Sequence, residues 1–362
     1  MGDGYGRQPV TAVVVILVIV SALVLLQQNA DRRISARQEN LSVVAENLDV
    51  PWGIEFMPSG DMLVTERPGT LLRIERESGR FTARYEIRGV EHRGEGGLLG
   101  VELHPEFRQN RWLYLYMTTR KGDMLRNRVV RYTLKGSELH NSTVIIDGLP
   151  GALYHDGGRL EFGPDGKLYV TAGDATHEYW AQQKDILAGK ILRLNPDGSI
   201  PEGNPFDSPV YSYGHRNPQG LAWVNGTLWA TEHGDTRHDE LNRIVKGGNY
   251  GWPVIEADMS REGMREPEIY AEGTTWAPAD AAYYQGSVFF AGLRGSTLYE
   301  AELENGSVKK LERHLGDRFG RLRAVEIGPE GYMYVSTSNT DGRGSPAEND
   351  DRIVRVDPDR WT

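Results

Sequence analysis

The chain has 362 residues, of which 39% are hydrophobic and 25% charged, so it can form one large globular domain or two ordinary ones. Its formal net charge of −10 argues against a nucleic-acid-binding surface, because phosphate recognition requires a basic face. The sequence contains no cysteine, which excludes disulfides, thiolate metal sites and thiol nucleophiles.

The N-terminus differs from the rest of the chain. Residues 9–26 are uncharged and almost wholly apolar. At about 1.5 Å per residue they would span most of a hydrocarbon core of about 30 Å. We therefore predict a tail at 1–9, a transmembrane helix or uncleaved signal at 10–27 and a linker at 28–40. An uncleaved anchor is favoured because QQNADRR lacks the small residues that signal cleavage requires.

The charges that flank this segment give a conflicting indication of topology. Arg7 precedes the segment, whereas Arg32, Arg33 and Arg37 follow it. By the positive-inside rule, this distribution would place the domain that follows in the cytoplasm.

One pattern recurs six times from residue 40 onward: a turn with Gly or Asn, then a short strand of alternating aromatic and aliphatic residues. The six turn residues are Gly60, Asn110, Gly166, Gly226, Gly286 and Gly331. Similar strand units repeated every ~40–50 residues, or more with long loops, are typical of a β-propeller. The sequence thus predicts an all-β, six-bladed β-propeller over residues 41–362. Residues 41–48 and 351–357 would pair to close the ring.

Polar residues follow the repeated strands, and equivalent strands would present them at one end of the ring. These residues are Glu66, Arg67, Asp174, Glu232, His233, Arg294, Ser338 and Asn339. They either fix the strand ends by hydrogen bonds or form a polar pocket over the propeller axis.

A histidine and an aspartate stand beside two glycines near the third repeat, in YHDGGRLEFGPDGKLYVTAGD. His155 is either a general base at the mouth of a site or a loop histidine on the surface. Two further segments contain arginines: SYGHRNPQGLAW includes Arg216 and Asn217, and RFGRLRAVEIGP includes Arg321 and Arg323. Alternation places the last two on one side of a strand. The arginines could form a solvated edge or, with Arg294, a cationic bowl for a polyanionic small molecule.

The segment TEHGDTRHDELNRIVKGGNYGWP, residues 231–253, is rich in oxygen ligands. Its histidines are five residues apart in a Gly-Asp loop, which fits zinc poorly. Carboxylates and free backbone carbonyls suit calcium better. An acidic solvated turn is the alternative.

Six segments together resemble a known family: GEGGLLGVELHPEF, YHDGGRLEFGPDGKLYVTAGD, LAGKILRLNPDGSIP, YGHRNPQGLAW, EHGDTRHDELN and GGNYGWP, in this order. The chain is similar over residues 41–357 to the soluble glucose and aldose sugar dehydrogenases that use pyrroloquinoline quinone (PQQ). The resemblance implies a six-bladed propeller, PQQ and Ca²⁺ as cofactors, and a small-molecule sugar as substrate.

The resemblance also implies roles for individual residues. His155 matches the catalytic base and Asp174 the acid beside it. The matches to cofactor contacts are Arg216, Asn217, Arg294, Arg321, Arg323 and Glu95. Glu95 stands where some members have glutamine, and a carboxylate there would repel a polyanion unless it is paired. Gly234 and Asp235 match calcium ligands through their carbonyls, and Glu240 and Tyr250 resemble a second, structural calcium site.

We therefore expect a membrane-anchored, extracytoplasmic PQQ- and Ca²⁺-dependent aldose dehydrogenase that forms lactones and passes electrons to an unknown acceptor. One alternative is a calcium-dependent propeller lactonase, which requires several carboxylates on a central metal. The other is a binding propeller without chemistry.

Overall fold

The computed structural model describes residues 41–361, which contain six four-stranded sheets arranged as a β-propeller. The strands of the first two blades, preceded by β1 (Leu41–Ala45), are β2 (Pro51–Phe56), β3 (Met62–Glu66), β4 (Thr70–Ile74), β5 (Phe81–Glu86), β6 (Leu98–Leu103), β7 (Trp112–Lys121), β8 (Met124–Lys135) and β9 (Glu138–Pro150). Blades three and four contain β10 (Leu160–Phe162), β11 (Leu168–Ala172), β12 (Lys190–Leu194), β13 (Val210–Tyr213), β14 (Pro218–Val224), β15 (Thr227–Glu232), β16 (Glu240–Ile244) and β17 (Ile269–Tyr270). Blades five and six contain β18 (Pro278–Tyr284), β19 (Ser287–Gly292), β20 (Thr297–Glu304), β21 (Ser307–His314), β22 (Leu322–Ile327), β23 (Met333–Thr337) and β24 (Ile353–Val356). Helical structure is confined here to α1 (Phe107–Asn110) and three short 3-10 helices, Glu178–Gln182, Pro205–Asp207 and Pro358–Arg360.

The predicted six-bladed propeller is confirmed. The first strand of each blade is innermost, and β2, β6, β10, β14, β18 and β22 contact one another around the ring. The sixth sheet has the order β1-β24-β23-β22, so the N-terminal strand completes the last blade. Leu48 N donates to Asp351 O at 3.0 Å, which extends the predicted pairing of the two ends.

Each predicted turn residue precedes the second strand of a blade, because a tight turn there must reverse the chain. Gly60 and Gly331, for example, have φ of 89° and 87°, a region that favours glycine. Blade two differs: α1 occupies the turn, and Arg111 adopts the left-handed conformation with φ of 61°. The Asn110 side chain instead accepts a hydrogen bond from Trp112 N at 2.9 Å.

The hydrophobic core lies between neighbouring blades. Leu63 and Leu71 of blade one pack in a single buried cluster with Leu98 and Leu115 of blade two. Similar clusters join the other blades, for example Trp229 of blade four with Phe290 of blade five. Each fully buried side chain of this size contributes about 1.5–3 kcal/mol. The sheets are therefore held face to face, and the ends of the inner strands are left for polar residues.

The predicted tail, anchor and linker at residues 1–40 lie outside the described residues. Within residues 41–361, no helix is long and apolar enough to cross a membrane. Val43–Arg355 form one compact unit, which contains the six sheets apart from the ends of β1 and β24. The other unit contains the two chain ends, and its described part includes the short helix Pro358–Arg360.

Candidate active site

The residues that follow the second strands lie at one end of the propeller, as predicted. In several blades, the main-chain N–H of the residue that follows the second strand donates to the carbonyl of the residue that precedes the first strand. Arg67 donates to Val50 at 3.1 Å, and His233 donates to Asn217 at 3.2 Å. This repeated bond fixes the main chain at matching places, so the polar residues of successive blades collect around the axis.

His155 and Asp174 form a hydrogen-bonded pair at this end. His155 Nδ1 lies 2.8 Å from Asp174 Oδ1. Asp174 is 2% exposed as a side chain and also accepts from Trp252 Nε1 at 2.9 Å and Thr176 N at 2.7 Å. Because an ionised carboxylate only accepts, the proton of the imidazole lies on Nδ1. The Nε2 lone pair of His155 is therefore available to take a proton.

Close main-chain packing holds the His155 loop in place. A Cβ at Gly173 would lie 2.0 Å from the carbonyl oxygen of His155, so only glycine allows this approach. Ala175 N donates to that carbonyl at 3.2 Å. The Asn217 side chain accepts from Gly157 N at 3.1 Å, which ties the loop to the start of blade four.

Arg321 lies just before β22 and Arg323 within it, and both reach the same residue of blade six. Both contact Ser338: Arg321 Nε donates to its carbonyl at 3.2 Å, and Arg323 Nε lies 3.5 Å from its Oγ. Arg321 also pairs with Asp341 at 2.8 Å. Arg323 is buried, and burial together with neighbouring Arg67 lowers the pKa of Arg323 to about 9. The protein thus holds guanidinium groups close together out of bulk water.

Several buried polar atoms in this cluster have no hydrogen-bond partner among residues 41–361: Arg67 Nε, Arg216 Nε and His233 Nε2. Arg216 lies over the Trp252 ring at 5.2 Å. Burial, with Arg323 and Arg216 acting in the same direction, outweighs the opposing carboxylates of Asp239 and Glu95 and lowers the pKa of His233 to about 4. A buried donor without a partner costs about 1–3 kcal/mol. A ligand with several carboxylates would satisfy these donors, so the site fits a small polyanion.

Glu95, the acid that would repel such an anion, is paired. Its Oε1 accepts from Arg343 Nη1 at 2.7 Å, and its Oε2 accepts from His155 N at 3.1 Å. Burial raises the pKa of Glu95, but neighbouring His233, Arg343 and the His155 N–H outweigh it and lower the pKa to about 2. Because His233 is neutral near pH 7, Arg343 is the cation that balances Glu95 there.

Arg294 follows β19 at the same end of the ring. The preceding residue, Leu293, donates its N–H to Ala277 O at 3.0 Å, which matches the bonds of Arg67 and His233 in their blades. Arg294 itself is exposed and makes no hydrogen bond or ion pair with the part of the chain that the structure describes. The Arg294 guanidinium can therefore contact a ligand that lies over the propeller axis at this end of the ring.

The loop with Gly234 and Asp235 is shaped by a buried acid, Asp239. Asp239 Oδ1 accepts from Gly234 N at 3.2 Å, and its Oδ2 accepts from three donors of residues 275–277. Asp235 is exposed and lies 3.5 Å from Arg216 Nη2. Asp239 thus fixes the conformation of this loop.

Glu240 lies in a second buried group of oxygen atoms. It is directly opposite Glu232 on β15, and Asn242 contacts both carboxylates while its own Oδ1 has no partner within residues 41–361. Burial and the charge of Glu232 raise the pKa of Glu240 to about 8. This donor set fits a cation. Tyr250 Oη donates to Arg243 O at 2.7 Å, so Tyr250 could offer only its main-chain carbonyl.

Four residues of the site were not predicted as functional: Arg67, Trp252, Asp341 and Arg343. Arg67 was visible as a strand-end residue and Trp252 as part of GGNYGWP, so the sequence contained a signal for both. Asp341 and Arg343 belong to the long loop after β23, which contains no recognisable motif. Only the folded chain brings this loop to Glu95.

A separate group of carboxylates occupies equivalent positions on four innermost strands: Glu55, Glu102, Glu161 and Glu326. Their cross-strand partners, such as Leu63 and Tyr334, stand at the start of the second strands, at the end opposite His155. Burial and mutual repulsion raise the pKa of all four well above the usual range. These carboxyl groups do not belong to the cluster around His155.

The chain matches the glucose/sorbosone dehydrogenase family model over residues 48–348. The PQQ-bound form of aldose sugar dehydrogenase from Streptomyces coelicolor superposes with a TM-score of 0.83 and 39% identity, covering 88% of this chain and 97% of that one.

Two curated proteins are also similar to this chain in sequence. Aldose sugar dehydrogenase YliI of Escherichia coli is 33% identical over 84% of this chain and 91% of its own length. Quinoprotein glucose dehydrogenase B of Acinetobacter calcoaceticus is 37% identical over 66% of this chain and 58% of its own. The match covers most of the propeller, and the expected resemblance is confirmed. The chain belongs to the glucose and sorbosone dehydrogenase family.

Proposed function

We propose that this protein is a PQQ- and Ca²⁺-dependent aldose sugar dehydrogenase that oxidises the C1 hydroxyl of aldoses to the lactone. The supporting observation is the His155–Asp174 pair, 2.8 Å apart, together with the buried Nε donors of Arg67 and Arg216, which have no partner within residues 41–361. A base and an anion-binding cluster at one end of a propeller suit a reaction between a hydroxyl and an anionic cofactor. The names of the relatives point to the same chemistry.

His155 would remove the proton of the C1 hydroxyl. Its Nε2 carries the lone pair, and a neutral imidazole is well matched to proton abstraction near neutral pH. As the proton arrives, Asp174 stabilises the imidazolium through Nδ1, while Trp252 and Thr176 keep the carboxylate in place. When bound, PQQ supplies the quinone that accepts the C1 hydride, and Ca²⁺ polarises that quinone.

The cluster of arginines would hold the carboxylates of PQQ. The residues proposed to bind it are Arg67, Arg216, Asn217, Arg294, Arg321 and Arg323, with Glu95 acting through its pairing. The main-chain carbonyls of Gly234 and Asp235 would hold the Ca²⁺ beside the cofactor. Glu240 and the carbonyl of Tyr250 would hold a second, structural Ca²⁺. The unpartnered donors and the orphan Asn242 oxygen support these assignments.

The alternatives are less well supported. A lactonase requires carboxylates on a metal beside the substrate, whereas the four inner-strand glutamates lie at the opposite end from His155. A binding propeller has no use for a carboxylate that orients His155 with its Nε2 unprotonated. Assaying lactone hydrolysis alongside dehydrogenation would separate the three functions.

We further propose that residues 10–27 anchor the protein in a membrane with the propeller outside the cytoplasm. The length and apolar character of residues 9–26 support the anchor, although the flanking arginines favour the reverse orientation. Protease treatment of intact cells tests the orientation. Digestion of the propeller supports the proposal, and full protection contradicts it.

The test of activity uses the purified full chain with PQQ and Ca²⁺ added singly and together. Dye reduction is measured with a panel of aldoses, and the dye stands in for the unknown acceptor. We expect activity with both additions and its loss in His155→Ala. His140→Ala is the matched control, because His140 is an exposed strand histidine that pairs with Glu138. Equal activity of His155→Ala and His140→Ala would refute the role of His155.

A further inference from the structure

Glu95 connects two loops that are distant in sequence. Its carboxylate accepts from Arg343 at 2.7 Å on one oxygen and from the His155 N–H at 3.1 Å on the other. Its own N–H donates to Leu153 O at 2.8 Å. Two hydrogen bonds therefore tie the loop that precedes β6 to the His155 loop, and an ion pair ties both to the loop that follows β23.

Arg343 is fixed in turn by its surroundings. Its main-chain N donates to Asp341 Oδ1 at 2.9 Å, and its guanidinium lies over the Tyr154 ring at 5.4 Å. Asp341 is itself paired with Arg321. Arg343 thus contacts the residue before His155 as well as the acid that binds its N–H.

The main chain of His155 needs such support. Its φ is 63°, in the left-handed region, which is strained for a residue other than glycine. Three bonds hold it there: Glu95 at its N–H, Ala175 at its carbonyl and Asp174 at its ring. Only the bond to Glu95 depends on a charge supplied by a distant loop. Among residues 41–361, Arg343 is the cation that hydrogen-bonds the Glu95 carboxylate, whereas Arg67 and Arg323 act on Glu95 only at longer range.

We infer that Arg343 and Glu95 form a positioning couple for His155. Arg343 neutralises and orients the Glu95 carboxylate, and Glu95 fixes the main chain from which the imidazole projects. The inference rests on the proposed function for its effect on turnover. Loss of Arg343 alone should be more harmful than loss of both charges, because the remaining Glu95 carboxylate is drawn toward Arg67 and Arg323 and away from the His155 N–H. Glutamine at 95 can accept the same N–H without needing a cation.

The test compares Arg343→Gln, Glu95→Gln, the double variant and Arg343→Lys. Coupling of neighbouring residues predicts that Arg343→Gln lowers kcat about tenfold in the wild-type background and by less than about threefold in the Glu95→Gln background. Arg343→Lys, which keeps the charge, should retain more activity than Arg343→Gln. Arg76→Gln is the matched control, because the Arg76–Glu330 pair, at 2.6 Å, also joins the first and last blades and lies away from the site.

A second measurement does not depend on turnover. In cofactor-free protein labelled with ¹⁵N-histidine, hydrogen exchange of the His155 amide reports its bond to Glu95, and His155→Gln assigns the signal among nine histidines. We expect exchange about tenfold faster in Glu95→Ala and Arg343→Gln, and within about threefold of wild type in Glu95→Gln.

The outcomes separate the couple from the proposed function. The couple would be overturned if hydrogen exchange of the His155 amide were unchanged in Glu95→Ala and Arg343→Gln. It would also be overturned if the fold-losses in kcat of Glu95→Gln and Arg343→Gln multiplied in the double variant, because the two residues would then act independently. If wild type has no dehydrogenase activity, the proposed function fails while the exchange experiment still decides whether the couple positions His155. Should Arg343→Gln not fold, Arg343→Lys and Glu95→Ala supply the comparison.

Discussion

Replacing Asp174 by asparagine should misdirect His155, because an amide cannot accept all the hydrogen bonds that the carboxylate accepts. Asp174 Oδ1 accepts from His155 Nδ1 and Thr176 N, and Oδ2 accepts from Trp252 Nε1. With the amide oxygen at the Oδ1 position, the NH₂ group faces the Trp252 N–H. In the other orientation it faces His155 and Thr176, so the imidazole accepts at Nδ1 and carries its proton on Nε2. It is then no longer a base for the substrate.

The magnitude follows from these contacts. Each donor–donor conflict costs about 1–3 kcal/mol, so the two amide orientations are close in free energy. Asp174→Asn should lower kcat, by at most the about 10²–10⁴-fold that a general base contributes. Trp252→Phe removes the N–H and keeps a ring beneath Arg216. Relief of one conflict favours the productive orientation about 5- to 150-fold. The double variant should therefore be more active than Asp174→Asn alone.

The assay is kcat at saturating aldose and dye for wild type, the two single variants and the double variant, each loaded with PQQ and Ca²⁺. Thermal unfolding of each protein checks that the fold is retained. If the fold-loss in kcat of the double variant equals the product of the two single fold-losses, Trp252 does not control the orientation of residue 174. The reasoning on the tautomer of His155 would then be wrong.

Three further predictions concern the same end of the propeller. Because the folded-state pKa of Glu95 is about 2, below its ordinary value, its stabilisation is present above about pH 4.5 and lost as pH falls toward 2. The free energy of unfolding, measured with urea, should be higher in wild type than in Glu95→Gln, and this difference should shrink by about 2 kcal/mol between pH 6 and pH 3. A difference that does not change with pH would contradict the pairing. Gly234→Ala places a Cβ 2.0 Å from the carbonyl oxygen of His238, so the loop must shift. The Ca²⁺ concentration needed to reactivate chelator-treated protein should therefore rise about tenfold or more. An unchanged Ca²⁺ requirement would argue against the Gly234 carbonyl as a ligand. Arg67→Gln removes the buried Nε donor that has no partner within residues 41–361, so PQQ titrated by absorbance should bind about 10- to 100-fold more weakly. The substitution also removes the bond from Arg67 to Gly94 O, so thermal unfolding is measured beside the affinity. Unchanged affinity would place Arg67 outside the cofactor site.

Much of the fold could be predicted because a propeller blade is a local structure. Each blade is a meander of consecutive strands, and its turn is encoded by residues such as Gly60 and Gly331 that must adopt positive φ. Six repeats of that signal therefore indicate six blades. The residues after the second strands could be assigned to one end for the same reason, since equivalent strands run in the same direction. Arg111 in blade two departs from the pattern because α1 replaces the tight turn.

The candidate site was only partly predictable, because its energetics depend on contacts between blades. His155, Asp174 and the arginine pair of β22 stood in motifs, and the structure brings them together at one end. The partner of Glu95 could not be foreseen, since Arg343 lies 248 residues away in a loop without a motif. The sequence alone indicated that Glu95 would need a cation.

By itself, the sequence determined the number of blades, the closure of the ring and the residue types gathered at one end, because these follow from local turns and strand alternation. The tertiary structure decided which atoms are left without partners and which charges neutralise each other. Among the residues that the structure describes, Arg67 Nε and Arg216 Nε have no hydrogen-bond partner, whereas Glu95 is paired with Arg343. Burial and charge pairing are properties of the assembled ring, because each blade supplies only one wall of the site.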